Sequence, residues 1–177
     1  MRRQVEAAAV DEIQRAPEIA TAELQQSDAV MLPSAPRNAH APQSVSWSVY
    51  RGKGGAVVDV PLGIFVQDAG PTAKGIGRRL KSADGRSEFA VYSFREPGQT
   101  PGSYLRNNLA VDPATISYKR VTNRFFALSS ESGGRIYYSR CNFYDAIHCI
   151  YLEYPQSEKI AWDAIVTRIS RSLRQGS

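Results

Sequence analysis

The sequence predicts an α+β domain, an α/β sandwich in which a mostly antiparallel sheet packs against a C-terminal amphipathic helix and a short mid-chain helix. Three observations carry this. Short stretches of alternating apolar and polar residues recur between Gly, Pro and Asp turns, the period of half-buried strands. Ser157 to Leu173 carries a helical stripe of Trp162, Ile165, Val166, Ile169 and Leu173, with Lys159, Asp163, Thr167, Arg168 and Arg171 mostly off it. Thr100-Pro101 is a helix start, since threonine caps free N–H groups and proline has no N–H to lose at the first position.

The 177 residues suit one domain plus a tail, and 42% hydrophobic residues are enough to bury a core. Residues 1–44 read as a flexible tail and linker. A transient helix over Val5 to Leu24 is interrupted by Pro17, and Pro33, Pro36 and Pro42 punctuate the segment after it, which has little apolar surface to offset the entropy of ordering. The folded domain is expected over 45–177. Met1-Arg2-Arg3 is basic, but Glu6, Asp11 and Glu12 break what would be the apolar part of a secretory signal. No stretch approaches the ~20 apolar residues needed to span a bilayer.

Within the domain, Val45 to Tyr50 alternates as a strand, Arg51 to Gly55 is a turn, and Ala56 to Val60 is a second strand. Gly70 to Gly77 is glycine-rich but lacks the Gly-Lys-Ser/Thr ending of a phosphate loop and precedes a strand, so it reads as a turn. Ile76 to Ser82 and Ser87 to Phe94 form a hairpin through Asp84-Gly85, where glycine supplies positive φ. A short helix follows, with Tyr104, Leu105 and Leu109 on its apolar side, ended by Asp112-Pro113. Strands are then expected over 115–121, 124–129, 135–142 and 146–154, with Gly133-Gly134 between the second and third.

Cys141 and Cys149, the only cysteines, fall on the last two of these strands. A hairpin turning at Asp145 sets Cys141 opposite Cys149, Ser139 opposite Tyr151 and Tyr137 opposite Glu153, all on one face. Two readings stand, a cross-strand disulfide or a pair of buried thiols. A disulfide favours a periplasmic or secreted home over the cytoplasm. The spacing fits neither a redox motif nor a zinc site.

No pattern specifies an active site. Of the two histidines, His40 is in the linker and His148 is on a strand, pointing away from the cysteine face. There is no nucleophile elbow, no metal-ligand spacing and no paired carboxylates, so neither catalysis nor a cofactor is expected. Glu153 is read as an ordinary surface partner of Arg135 or Arg140. The net charge of +5 is modest and lacks nucleic-acid-binding motifs. Its densest stretch, Lys74, Arg78, Arg79, Lys81 and Arg86, reads as a solvated strand-and-turn surface or, more sharply, as an anion-binding edge with Arg78, Arg79 and Lys81 as its site residues. Tyr137 and Tyr151, with Phe143 and Tyr144, are the expected aromatic binding patch; their plainer reading is packing.

From about Val58 to Leu173 the chain resembles the Mog1/PsbP-like α/β sandwich domains found in uncharacterised exported bacterial proteins. The resemblance rests on Asp59-Val60-Pro61, on Arg79 to Arg86 with Val91-Tyr92, and on Tyr118-Lys119-Arg120. It continues through Arg135 to Cys141 and Tyr154-Pro155 to Trp162-Asp163-Ala164-Ile165-Val166. It implies a non-catalytic binding or accessory domain, with a protein the expected partner. The alternatives are a carrier of a small or anionic ligand in a pocket between sheet and helix, or an enzyme with an unrecognised site. Family site residues do not carry over, because such domains use different surfaces.

Overall fold

The computed structural model describes residues 45–109 and 111–177; the tail and linker expected over 1–44 lie outside them. A long sheet of seven strands, all antiparallel, is the centre of the fold. In spatial order these are β3 (Phe65–Pro71), β4 (Ile76–Ser82), β5 (Glu88–Phe94), β9 (Ile147–Pro155), β8 (Arg135–Phe143), β7 (Phe125–Ser132) and β6 (Ile116–Val121). A smaller sheet joins β1 (Trp47–Arg51), β2 (Ala56–Pro61) and a two-residue β10 (Arg174–Gln175). Helices α1 (Pro101–Asn108) and α2 (Lys159–Ser172) pack on opposite faces of the long sheet.

Strand alternation decides what each face meets. One face offers Phe89, Val91, Ile150, Leu152 and Ile136 to α2 and to Ala56, Val58 and Val60 of the small sheet; this is the main core. Trp162, Ile165, Val166 and Ile169 complete it, as the stripe predicts, and Trp162 stacks on Tyr154 with ring centroids 5.0 Å apart. The last turn of α2 is stitched down by its neighbours. Asn142 Nδ2 donates to the Leu173 carbonyl at 2.7 Å, and the Asp59 N–H donates to Ser172 Oγ at 2.8 Å. The other face carries a second apolar cluster under α1, where Tyr104 and Leu105 cover Phe126, Leu128, Cys141 and Cys149.

Local chemistry sets the element ends. Thr100 Oγ1 accepts the Ser103 N–H at 3.2 Å while Ser103 Oγ accepts the Thr100 N–H at 2.9 Å, a capping box that starts α1. Gly85 (φ 69°) turns the β4–β5 hairpin, where Asp84 accepts hydrogen bonds from Ser82 Oγ and from the backbone and side chain of Arg86. Those bonds hold its carboxyl well below the usual carboxylate range. Gly133 and Gly134, both at positive φ, turn β7 into β8.

Two strands were not expected. Within 70–77 only Thr72 to Gly75 is turn, because Gly70 and Pro71 end β3 while Ile76 and Gly77 begin β4. β3 is an edge strand with register irregularities against β4, and Val66, Gln67 and Asp68 are exposed, so it has no alternation to read. β10 exists only because the chain end meets β2, at Val57 and Ala56.

Candidate functional site

The α1 face of the long sheet is only partly covered. Beyond α1 the strands leave a concavity of about 580 Å³, walled by Thr72 to Lys74 on one side and by Leu109, Val111, Asp112 and Thr115 on another. Its floor is the side-chain row that alternation places here: Glu88, Ala90 and Tyr92 on β5, Tyr151 on β9, Tyr137 and Ser139 on β8, and Leu128, Ser130 and Ser132 on β7.

The structure therefore brings together three of the expected site residues, Arg79, Tyr137 and Tyr151. Lys81 stands beside them on β4, its Nζ 4.0 Å from Glu88 Oε2. Arg78 does not join them: alternation turns it to the other face, where it pairs with Asp68. Nor is the basic edge free. Arg79 holds Glu88 through Nε at 2.8 Å and Nη2 at 3.4 Å. Lys74 pairs with Glu96 at 3.0 Å and lies over the rings of Phe94 and Tyr104. Phe143 packs against Tyr104 and Phe126 in the α1 cluster, and Tyr144 is half exposed at the β8–β9 turn.

The cavity presents neutral hydroxyls. Burial pushes the Tyr92 phenol up to about 12, and burial with the nearby Glu153 carboxylate pushes Tyr151 up as well. Tyr151 donates to Glu153 at 3.2 Å, and Arg135 closes the pair with Glu153 expected from the hairpin register. The hydroxyls of Tyr92, Tyr137, Ser130, Ser132 and Ser139 bond to no described residue. Ser130 is 7% exposed and lines the cavity.

The β8–β9 register is as the hairpin predicts, with Cys141 opposite Cys149, Ser139 opposite Tyr151 and Tyr137 opposite Glu153. Cys141 and Cys149 form a disulfide beneath α1, their Cα atoms 4.1 Å apart. Among the described residues no group of His, Cys, Asp and Glu could hold a metal, and no helix is long and apolar enough to cross a membrane.

His148 lies on the opposite face, away from the cysteines and from the cavity, and is fully buried at 1% exposure. Its Nδ1 is 2.8 Å from Ser93 Oγ, its ring packs near Tyr144, and its Nε2 has no partner among the described residues. Sequence reading missed the Ser93–His148 pair, although β5–β9 register sets the two directly opposite. A hydroxyl and an imidazole meet here, but no carboxylate hydrogen-bonds to the ring and the pair is sealed. Burial lowers the His148 pKa below its ordinary 6.5. The unfolded chain then binds the proton more readily, so stability is full above about pH 6.5 and is lost as pH falls below it. We expect the melting temperature to drop between pH 7.5 and 5, and His148→Leu to flatten that dependence. An unchanged slope in the variant would assign the drop to other groups.

No family model matches the sequence, and no curated protein matches it either. By its fold the chain is an α/β sandwich of the PsbP-like kind, as the strand and helix order implies. The solution structure of cyanobacterial PsbP (CyanoP) from Synechocystis sp. PCC 6803 matches it with a TM-score of 0.55, covering 81% of this chain and 98% of that one. The two are 12% identical in sequence, so the likeness is one of fold.

Proposed function

We propose that this chain is a non-catalytic binding domain of an exported bacterial protein, and that its partner is a protein segment held in the cavity on the α1 face. The observation that carries this is the set of five unpartnered hydroxyls, three from serine and two from tyrosine, on the floor of a cavity of about 580 Å³. Tyrosine supplies rigid amphipathic contact area at low entropy cost, and serine supplies adaptable hydrogen bonds, the pairing that general recognition surfaces use. Catalysis is disfavoured on the same ground. The cavity serines have no base in hydrogen-bond contact, the nearby Arg79, Glu88 and Lys74 are tied in ion pairs, and His148 is on the other face. The PsbP-like fold of the chain is consistent with an accessory role. Export is supported by the cross-strand disulfide, a bond that persists in oxidising compartments.

The cavity volume also lies in the range of small-molecule sites, which supports a second reading as a ligand carrier. Ser139→Trp, which fills the cavity from β8, tests both. In capture from a periplasmic extract, a protein retained by the wild type and by Arg78→Glu but lost by Ser139→Trp supports the first reading. A compound that raises the wild-type melting temperature but not the variant's, with no protein captured, supports the second. Identical behaviour of wild type and Ser139→Trp in both assays sinks the site. The variant's own melting temperature, expected within a few degrees of wild type because the indole enters open space, confirms that it is folded.

A further inference from the structure

We propose that Arg120, Arg140 and Arg171 form a second site, a receptor for a phosphate dianion in the groove between β6–β8 and α2. The groove has a volume of about 250 Å³ and no aspartate or glutamate lines it. Arg120 on β6 and Arg140 on β8 are both register neighbours of Ala127 on β7, so the two lie in one cross-strand row on either side of a small residue. Both guanidiniums approach the Phe125 ring, at 5.5 and 4.3 Å from its centroid. Arg171, in the last turn of α2, closes the groove from above.

Arg78, Arg79, Arg86, Arg135, Arg168, Lys74, Lys81 and Lys159 each face a carboxylate, whereas none of the ion pairs among the described residues involves Arg120, Arg140 or Arg171. Arg51, Lys53, Arg95, Arg106, Lys119, Arg124 and Arg174 also make no ion pair among the described residues, but these three unpaired cations line one groove together. Arg140 is instead held by neutral acceptors, with Nε donating to Asn142 Oδ1 at 2.9 Å and Nη1 to Ser170 Oγ at 3.3 Å. Ser170 is 6% exposed and its hydroxyl lies 2.6 Å from that of Tyr138, which also lines the groove. Neutral partners fix the guanidinium in place without cancelling its charge. The helix C-terminus gives Arg171 some compensation, while Arg120 and Arg140, separated by β7, repel each other weakly across about one Debye length.

The charge count selects the ligand. Three guanidiniums with no carboxylate match a dianion, and their planar forks suit the paired oxygens of a phosphoryl group. A monocarboxylate would leave most of the positive charge unbalanced. A groove of this size takes a phosphate with a small substituent, which favours a soluble phosphate or phosphomonoester over a membrane surface.

The test uses the full chain in a phosphate-free buffer. Sodium phosphate, sodium acetate and phosphatidylglycerol vesicles are added in turn at matched ionic strength, and melting temperature and calorimetric binding are read. Phosphate is expected to bind and raise the melting temperature, acetate and vesicles to do neither. Arg120→Gln and Arg171→Gln, both at exposed positions, should each weaken phosphate binding about tenfold or more, the loss of one charge-assisted contact. Without phosphate both variants should melt at or above wild type, because repulsion is relieved. Arg78→Gln and Ser139→Trp should keep the wild-type phosphate response, which separates this site from the cavity. The proposal is overturned by an undiminished phosphate response in both groove variants, by acetate or vesicles acting as strongly as phosphate, or by variants that melt lower without the anion.

Discussion

Replacing Ile169 by aspartate is expected to abolish the cooperative thermal transition of this domain. Ile169 is 0% exposed and sits where α2 meets both sheets, among Val58, Val91 and Ile150. The buried cluster to which it belongs contains no charged side chain, so a carboxylate there would be buried without a partner or would have to be protonated. An uncompensated buried charge costs about 3–5 kcal/mol, and loss of the isoleucine packing adds a further 2 kcal/mol or so. Against a total stability of about 5–15 kcal/mol this removes most or all of it. Ile160, on the same helix but 91% exposed, is the matched control, and Ile160→Asp should change stability by no more than about 0.5 kcal/mol. Circular dichroism melting of both variants decides the matter. A cooperative Ile169→Asp melt near the wild-type temperature would mean that α2 is not the keystone of the core.

The second large effect concerns Cys141 and Cys149. Replacing both by alanine is expected to cost about 2 kcal/mol, the unfolded-state entropy restored when a short loop is opened. For a domain of this size that corresponds to a fall in melting temperature of about 5–10 °C. Both residues are essentially inaccessible, at 1% and 0% exposure, so reductant should act on the native protein only through opening of the α1 face. Titration of the unreduced native and denatured protein should find no free thiol. Two thiols per chain, or a double variant that melts with the oxidised wild type, would remove both the bond and the main support for export.

These two predictions rest on features that were legible before any coordinates, and for the same reason. The α2 stripe is written in residues three and four apart on one helix, and the cysteine pairing in residues equidistant from one tight turn, so each depends only on local geometry. The Asp84-Gly85 hairpin and the Thr100 cap were readable on the same terms. β3 was not, because an exposed, irregular edge strand buries too little to leave a periodic mark. The division of the basic edge was hidden for a related reason. Arg78, Arg79 and Lys81 are dense in sequence, but strand alternation sends Arg78 to one face, where it pairs with Asp68, and the other two to the opposite one, where they share Glu88.

Sequence alone determined that this chain would form an antiparallel sheet closed by a C-terminal amphipathic helix, and which cysteines would meet. Those properties follow from spacing within one element or one hairpin. The tertiary structure decided which side chains share a cavity and which charges lack partners. Tyr92, Ser130, Tyr137 and Tyr151 come from four strands, and Arg120, Arg140 and Arg171 from two strands and a helix. Their meeting is set by strand order and register across the whole sheet, and by where α2 crosses it, none of which is encoded in neighbouring residues.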